Sequence, residues 1–285
     1  MCRRNWIEET INNAYGFLEK GNVDAVSEII SVLSENKQDE GDSYTYIIDG
    51  CHKSSICKAD YFFAIGSLLS AFPDKENEAL EAFCMYNYYQ IQKKKGARIK
   101  GTNSYYSFRK ANEYSYADLA SNTITLVSPK LMNDPLDTLM FPWLKAREQN
   151  CERMLQQGDF SDEFKKIARR TGRLFIKAHD FYKIRSFCIW EKGAKEPPFQ
   201  NTLMWSHYAD SHKGFCVVYK LSPEMRFNKE NSTYYTLSPM NYHRKPIDLI
   251  KETEFDGKAA LLTKSKAWEY ENEYRLLMYD PTKKE

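Results

Sequence analysis

The residue types best suited to catalysis lie close together late in the sequence, between Lys266 and Leu276. If this stretch forms a strand, its alternation places Glu271, Glu273 and Arg275 on one face. Two carboxylates that close raise the pKa of one of them, and an arginine beside them lowers it. An active site uses this effect to give one carboxylate an acid role and the other a base role. An exposed strand face with salt bridges is the alternative interpretation.

A second stretch, residues 203–219, contains two of the five histidines among aromatic residues, namely Trp205, His207, Tyr208 and His212. They precede an apolar run, so they are expected to lie at the edge of a strand. The two histidines are five residues apart, whereas a helix holds zinc with histidines four apart, and neither HExxH nor CxxC accompanies them. We therefore expect no metal. Either a histidine or Tyr208 faces a ligand, or the aromatic residues are core and a histidine caps the following turn.

A third candidate is Ser128, where an apolar run ends and Pro129 follows at once. The next polar residues, Asn133-Asp134-Pro135, are typical of a turn whose side chains bond their own backbone. That turn explains the polar side chains without a ligand. It leaves Ser128 or Asp137 at the rim of a pocket.

The composition indicates a folded protein and bounds its partners. With 285 residues, of which 42% are hydrophobic and 28% charged, the chain is expected to form two domains or one domain with an extension. Its 41 basic and 39 acidic residues give a net charge of +2, which argues against a surface built to neutralise nucleic-acid phosphates. Seven cysteines without a CxxC pair predict reduced thiols in a cytoplasm. Without a signal peptide or a run of about 18 apolar residues, no contact with a membrane is predicted.

Apolar residues recur at helical spacing from Trp6 to about Lys94 and predict four amphipathic helices. The segments 21–26 and 74–80 each open a helix in the manner of tetratricopeptide-type hairpins. We therefore predict an all-α segment of helical hairpins over residues 1–97, which packs on the rest of the chain or binds a protein partner. The basic run after Lys93 is predicted to be an exposed linker, with a nucleic-acid contact as the alternative.

From residue 98 to residue 285 the pattern changes to short strand-like runs between helical ones. Strands scattered among helices, without a regular βαβ period and without GxGxxG, predict an α+β fold rather than a doubly wound nucleotide-binding fold. We expect a mixed domain with small, mainly antiparallel sheets. The predicted strands are 105–109, 123–127, 184–190, 214–219, 232–237 and 274–279, and residues 148–178 are predicted to form one or two helices.

Five motifs follow one another between about Tyr105 and Tyr279. They are aromatic-x-aromatic-Arg at 106–109, Ser-Pro-x-x-x-Asn-Asp-Pro-x-Asp at 128–137, Arg-Ser-Phe-Cys at 185–188, Met-Trp-Ser-His-Tyr-Ala-Asp-x-His-x-Gly-Phe-Cys at 204–216 and Trp-x-Tyr-Glu-x-Glu-Tyr-Arg at 268–275. In this order they resemble the bacterial family catalogued only as domain of unknown function 2971. The family name carries no activity, and the helices before Lys93 lie outside the resemblance.

The layout is also similar, more distantly, to that of ADP-ribosyltransferases, which take Arg or His from an early strand, Ser or Thr from a later one and Glu from a late one. In this sequence the matching positions are Arg109, Ser128 and Glu273, with Glu271 completing a Glu-x-Glu. The resemblance implies NAD as substrate, with Glu273 stabilising an oxocarbenium-like ribose and Arg109 holding the pyrophosphate. The Ser-Thr-Ser motif of that family is absent.

The hypothesis adds ligand contacts to Arg109 and Ser128, with Trp205 or Tyr208 stacking on a ring of NAD. His212 and Arg275 are further candidates for binding NAD, although the ADP-ribosyltransferase layout assigns no role to the histidines. The resulting hypothesis is an NAD-using ADP-ribosyltransferase-like or NAD-hydrolysing effector, of a toxin or a phage-defence system, that modifies a macromolecular acceptor.

Two other functions compete with this hypothesis. The first is a nucleic-acid-cleaving enzyme with His207 and His212 as general acid and base, since histidine suits proton transfer at neutral pH. The second is a non-enzymatic interaction module of a defence system, in which the aromatic stretch binds a peptide or partner.

Overall fold

The computed structural model of the protein describes residues 6–48, 52–93, 104–132, 138–190, 196–221, 227–228, 233–244 and 257–280. The predicted boundary between residues 97 and 98 and the polar turn with Asp137 lie outside these ranges. The chain divides into two compact units, the first built from described residues of 1–90 and 144–181 and the second from those of 91–143 and 182–282. Residues 148–178, predicted to belong to the second domain, therefore fall in the first unit. Within the described ranges, no helix combines the length and the apolar character that crossing a bilayer requires.

Helices dominate the first part of the chain, and strands become more frequent toward its end. In chain order the elements are α1 (Trp6–Glu19), α2 (Val23–Glu35), β1 (Gln38–Glu40), β2 (Ser43–Ile48), β3 (His52–Cys57), α3 (Lys58–Leu69), α4 (Glu76–Lys93), β4 (Tyr105–Arg109), α5 (Glu113–Ser121), α6 (Met140–Gln157), α7 (Asp162–Ala178), β5 (Tyr182–Ile189), α8 (Thr202–Tyr208), β6 (Phe215–Tyr219), β7 (Phe227–Asn228), β8 (Thr233–Pro239), β9 (Asn241–His243), α9 (Gly257–Leu261), β10 (Thr263–Ser265) and β11 (Glu273–Tyr279).

The hairpin of α1 and α2 in the first unit has a clear local cause. Gly21 has a φ of +73°, in the left-handed region that glycine adopts at little cost. The side chain of Asn22 then caps α2 by accepting a hydrogen bond from the Ala25 amide at 3.2 Å. The buried residues that join this hairpin to α3 and α7 are Ala14, Leu18, Val26, Leu68, Ala71 and Ile167.

The first unit also contains strands, so the prediction of an all-α segment over residues 1–97 is corrected. β1, β2 and β3 form a three-stranded antiparallel sheet between the second and third helices. The physical reason is local: Gly41, with a φ of +65°, allows a tight turn, and Tyr44 and Tyr46 of β2 are buried aromatic residues that favour a pleated surface. The hairpins α1–α2 and α3–α4 are therefore not consecutive repeats.

The second unit contains a six-stranded antiparallel sheet in the order β6-β4-β5-β11-β8-β7, and a short parallel pair of β9 and β10. This arrangement confirms the predicted α+β class with mainly antiparallel sheets. The predicted strand at residues 123–127 is wrong, because only Val127 pairs, in a single bridge with Ile184. The side chain of Asp118 accepts hydrogen bonds from the Thr125 amide and hydroxyl, and so occupies an amide that a longer strand would have used.

The sheet parts between β4 and β5. These strands pair only at Tyr105 with Ile189 and at Tyr106 with Cys188, after which β4 continues beside β6 alone. Because Cys188 also lies opposite Glu273, that glutamate shares the sheet face of Tyr106. Alternation places Arg109 and Arg185 on the opposite face. The gap between the two strands is the place where side chains of both faces can line one cavity.

Candidate active site

A cavity of about 290 Å³ lies at the gap between β4 and β5. β4 contributes Tyr106 to Arg109 to its lining, and β5 contributes Ile184 to Cys188. Another part of the lining carries Lys264, Glu271 and Glu273. The volume is close to the lower end of small-molecule sites, so the cavity fits part of a nucleotide-sized ligand.

The acidic part of the cavity is a buried network of two carboxylates and two cations. The Lys264 ammonium donates to a carboxylate oxygen of Glu271 at 2.6 Å and to one of Glu273 at 3.2 Å. On the other side of Glu273, Nε of Arg275 donates to its Oε1 at 2.7 Å. All four side chains are at most 4% exposed, so their charges act with little screening by solvent.

This environment separates the acidities of the two carboxylates. Burial raises the pKa of Glu271 to about 6, assisted by the charge of Glu273 and opposed by Lys264. Burial acts on Glu273 in the same direction, but the charges of Arg275 and Lys264 outweigh it and lower the pKa of Glu273 to about 2. At neutral pH, Glu273 is therefore firmly anionic, whereas Glu271 titrates close to the working range.

The elements around these carboxylates explain their positions. Glu271 ends a short 3₁₀ turn, and Asn272 with a φ of 44° carries the chain into β11. β11 begins at Glu273, so Glu271 precedes the strand, and only Glu273 and Arg275 share a strand face by alternation. The hydroxyl of Tyr208, at the end of α8, donates to Oε1 of Glu271 at 2.6 Å. The hydroxyl of Tyr242 accepts from the amide of Glu273 at 2.9 Å.

The basic part of the cavity is centred on Arg109, which is 4% exposed. Its Nη2 donates to Asp118 at 2.6 Å, and the pKa of Asp118 is low because hydrogen bonds from Thr125 and Arg109 outweigh its burial. The remaining Arg109 groups, Nε and Nη1, are buried without a hydrogen-bond partner among the described residues. Arg185 lies nearby and donates through Nη2 to Ser107 at 2.9 Å.

A strained turn joins α8 to β6 and sets the end of β4. Three successive residues, Asp210, Ser211 and His212, have φ values of 51°, 53° and 70°, in the left-handed region that costs non-glycine residues about 1 kcal/mol or more each. Gly214 follows, and a Cβ there would lie 2.0 Å from the carbonyl oxygen of Arg109. The absence of a side chain at Gly214 is thus what lets the turn pack against the strand that carries Arg109.

The structure brings four of the predicted site residues to the cavity, namely Arg109, Tyr208, Glu271 and Glu273. Arg275 is fully buried behind Glu273, where it also donates to the carbonyl of Leu261 at 2.7 Å. Arg275 therefore supports the site by holding Glu273 and does not line the cavity.

Four further predicted residues, Ser128, Trp205, His207 and His212, are absent from the lining of the cavity. Ser128 caps the short turn at 129–131. Trp205 packs edge to face against the ring of Phe108 at 5.3 Å, with its indole nitrogen donating to the Phe199 carbonyl at 2.7 Å. His207 and His212 are exposed.

Several residues of the site were not found by sequence reasoning. Arg185 carried a signal, since it opens the Arg-Ser-Phe-Cys motif. Its proximity to Arg109 becomes evident only when β4 and β5 are paired. Lys264, Asp118 and Tyr242 carried none, because single polar residues on short elements gain meaning only from their partners.

A second cavity, of about 410 Å³, adjoins the first and shares Met204 and Glu271 with it. The rest of its lining consists of residues 196–198 and 200–203, together with Ile189, Tyr270 and Asn272. Glu271 thus borders both cavities. Within the part of the chain that the structure describes, no three His, Cys, Asp or Glu side chains are grouped as metal ligands.

Residues 204–276 match the sequence model of a family described as protein of unknown function (DUF2971). The match confirms the resemblance to that family over this stretch, which holds Tyr208, Lys264 and both carboxylates of the cavity. Arg109 and Arg185 precede it. Neither the curated proteins nor the solved structures contain a match to this chain.

Proposed function

We propose that the second unit binds NAD and breaks its nicotinamide–ribose bond, passing ADP-ribose to an acceptor or to water. The observation that carries the proposal is the pairing of two unlike groups in one cavity. A buried arginine, Arg109, has donors without a partner among the described residues, and these suit phosphate oxygens. Two carboxylates of separated acidity, Glu271 and Glu273, line the same cavity.

The chemistry assigns different roles to the two carboxylates. When the bond between C1′ of the ribose and the nicotinamide nitrogen breaks, nicotinamide leaves with the electron pair and positive charge develops on the ribose. Anionic Glu273 stabilises that charge electrostatically. An acceptor hydroxyl, amine or water then attacks C1′ and gives its proton to Glu271, whose pKa of about 6 suits a general base at neutral pH.

The second cavity supports a separate entry for the acceptor. NAD would occupy the cavity that contains Arg109, while the acceptor would approach Glu271 through the neighbouring one. Such an activity suits a toxin or a phage-defence effector in a bacterial cytoplasm, with the N-terminal helices docking a protein partner. The nucleic-acid-cleaving alternative depends on His207 and His212, and their exposed positions outside the cavity give it no support.

Calorimetric titration of the whole chain with NAD tests the binding half of the proposal. We expect saturable binding to NAD and at least about tenfold weaker binding to nicotinamide riboside, because the riboside lacks the phosphates that charge-assisted hydrogen bonds would hold. Changing the ligand rather than the protein avoids any effect on folding. Absence of heat at millimolar NAD, or equal affinity for the two ligands, would count against the proposal.

A further inference from the structure

Two arginines face the cavity from different strands, and among the described residues only one of them has an acidic partner. Arg109 ends β4 and pairs with Asp118 at 2.6 Å. Arg185 lies on β5, where the hydroxyl of Ser107 accepts a hydrogen bond from its Nη2. The Nε group of Arg185 is buried without a hydrogen-bond partner in the described ranges, as are Nε and Nη1 of Arg109. Buried donors of this kind are nearly always bonded in folded proteins.

The charges of this basic part do not balance within the part of the chain that the structure describes. Two guanidinium groups stand beside one carboxylate, which leaves a positive charge in a mostly buried place. Burial and the charge of Arg109 lower the pKa of Arg185 to about 10, which still leaves Arg185 charged at neutral pH. The acidic part of the cavity has two cations for its two carboxylates, so it has no excess negative charge to offset the positive charge of the basic part. An anionic ligand would satisfy both the charge and the three unused donors.

The shape of the basic part narrows the class of anion. The gap between β4 and β5 separates Arg109 from Arg185, and each offers at least one N–H group. A guanidinium matches the oxygens of a phosphate better than any other side chain does. The lining continues from Arg109 to Lys110, Asn112 and Ser115, which leaves room beyond a single phosphate.

We infer that Arg185 and Arg109 together form a subsite for a diphosphate group, with each arginine binding one of the two phosphates. The choice of ligand rests on the proposed NAD function, but the subsite itself does not, since a nucleoside diphosphate or free pyrophosphate has the same chemistry. Arg185 thereby becomes a direct ligand contact, and Asp118 and Ser107 become residues that position the two arginines.

The test is calorimetric titration of the whole chain with pyrophosphate, ADP-ribose and inorganic phosphate. The wild type is expected to bind pyrophosphate and ADP-ribose at least about tenfold more tightly than phosphate, and Arg185→Gln is expected to lose about tenfold or more of that affinity. Lys220→Gln is the matched control, because Lys220 is exposed, donates to Ser104 and lies outside the cavity. Equal affinity of wild type and Arg185→Gln would overturn the inference.

A second measurement is made on the wild type, and a variant serves only to assign the signal. In the wild type, addition of pyrophosphate should shift the NMR signal of the Arg185 Nε–H group, assigned by its loss in Arg185→Lys. An unshifted Arg185 signal at saturating pyrophosphate would also overturn the inference. Diphosphate binding that depends on Arg185, without cleavage of NAD, would leave the subsite standing and remove the proposed function. Cleavage of NAD together with an unchanged affinity of Arg185→Gln for pyrophosphate would leave the proposed function standing and remove the subsite.

Discussion

Glu273→Gln should lower the free energy of unfolding by about 3 kcal/mol at pH 7. The native environment lowers the pKa of Glu273 from an ordinary 4.5 to about 2, and each pKa unit corresponds to about 1.4 kcal/mol. The substitution removes this stabilisation and leaves the buried cations Arg275 and Lys264 with Glu271 as their one remaining carboxylate. Activity should fall as well, so loss of activity in this variant alone does not show a catalytic role.

The pH dependence gives this prediction a second check. A carboxylate whose pKa is lowered on folding contributes stability above its ordinary pKa and loses it as the pH falls through the folded value. The difference between wild type and Glu273→Gln should therefore be largest above pH 4.5 and shrink toward pH 2. Urea unfolding measured across this range tests it. Glu269→Gln is the control, since Glu269 is half exposed and pairs at the surface with Lys266, and it should change stability by less than about 0.5 kcal/mol.

Unlike Glu273→Gln, the variant Glu271→Gln should lose turnover and keep its stability. The pKa of Glu271 is raised to about 6, so its ionised form costs about 2 kcal/mol at pH 7 relative to the unfolded chain. That raised pKa gives stability below pH 4.5 that is lost as the pH rises through 6. Glutamine resembles the protonated form, and Glu271→Gln should unfold at the same or a higher urea concentration than wild type. A loss as large as that expected for Glu273→Gln would contradict this assignment.

The same pKa predicts how turnover depends on pH. A general base works only when ionised, so the rate in the wild type should rise with pH through about 6. Tyr208 donates to Glu271 and favours its charged form, so Tyr208→Phe should move this rise to a higher pH. Tyr114→Phe is the control, because Tyr114 is 76% exposed. A profile that is flat around pH 6, or unmoved by Tyr208→Phe, would remove Glu271 as the base.

The sequence predicted the α+β class and five of the six strands of the large sheet, because their apolar runs alternate or are continuous. It failed at residues 38–57, where polar residues of β1 and β3 flank the aromatic residues of β2 and hide the sheet. It failed again at residues 123–127, where the side chain of Asp118 accepts a hydrogen bond from the Thr125 amide that a strand ladder would have used. Both failures come from interactions that residue spacing does not encode.

Part of the candidate site was predictable from the alternation of residues along a strand. Glu273 and Arg275 share a face by alternation along one strand, and their contact at 2.7 Å follows from it. Lys264 lies on another element, and its bridge between Glu271 and Glu273 depends on how β10 and β11 meet. Arg109 was named through the resemblance to ADP-ribosyltransferases, as the arginine of an early strand. Its buried donors, without a partner among the described residues, appear only where the sheet parts.

The most direct test of the account is release of nicotinamide from NAD, followed by chromatography, with wild type, Glu271→Gln and Glu269→Gln purified in parallel. The two variants change the same residue type in the same short turn, but only Glu271 lines the cavity. We predict release by the wild type, a rate within about twofold of it for Glu269→Gln, and a rate about a hundredfold or more lower for Glu271→Gln. Full activity in folded Glu271→Gln, or no nicotinamide from any of the three at saturating NAD, would contradict the account.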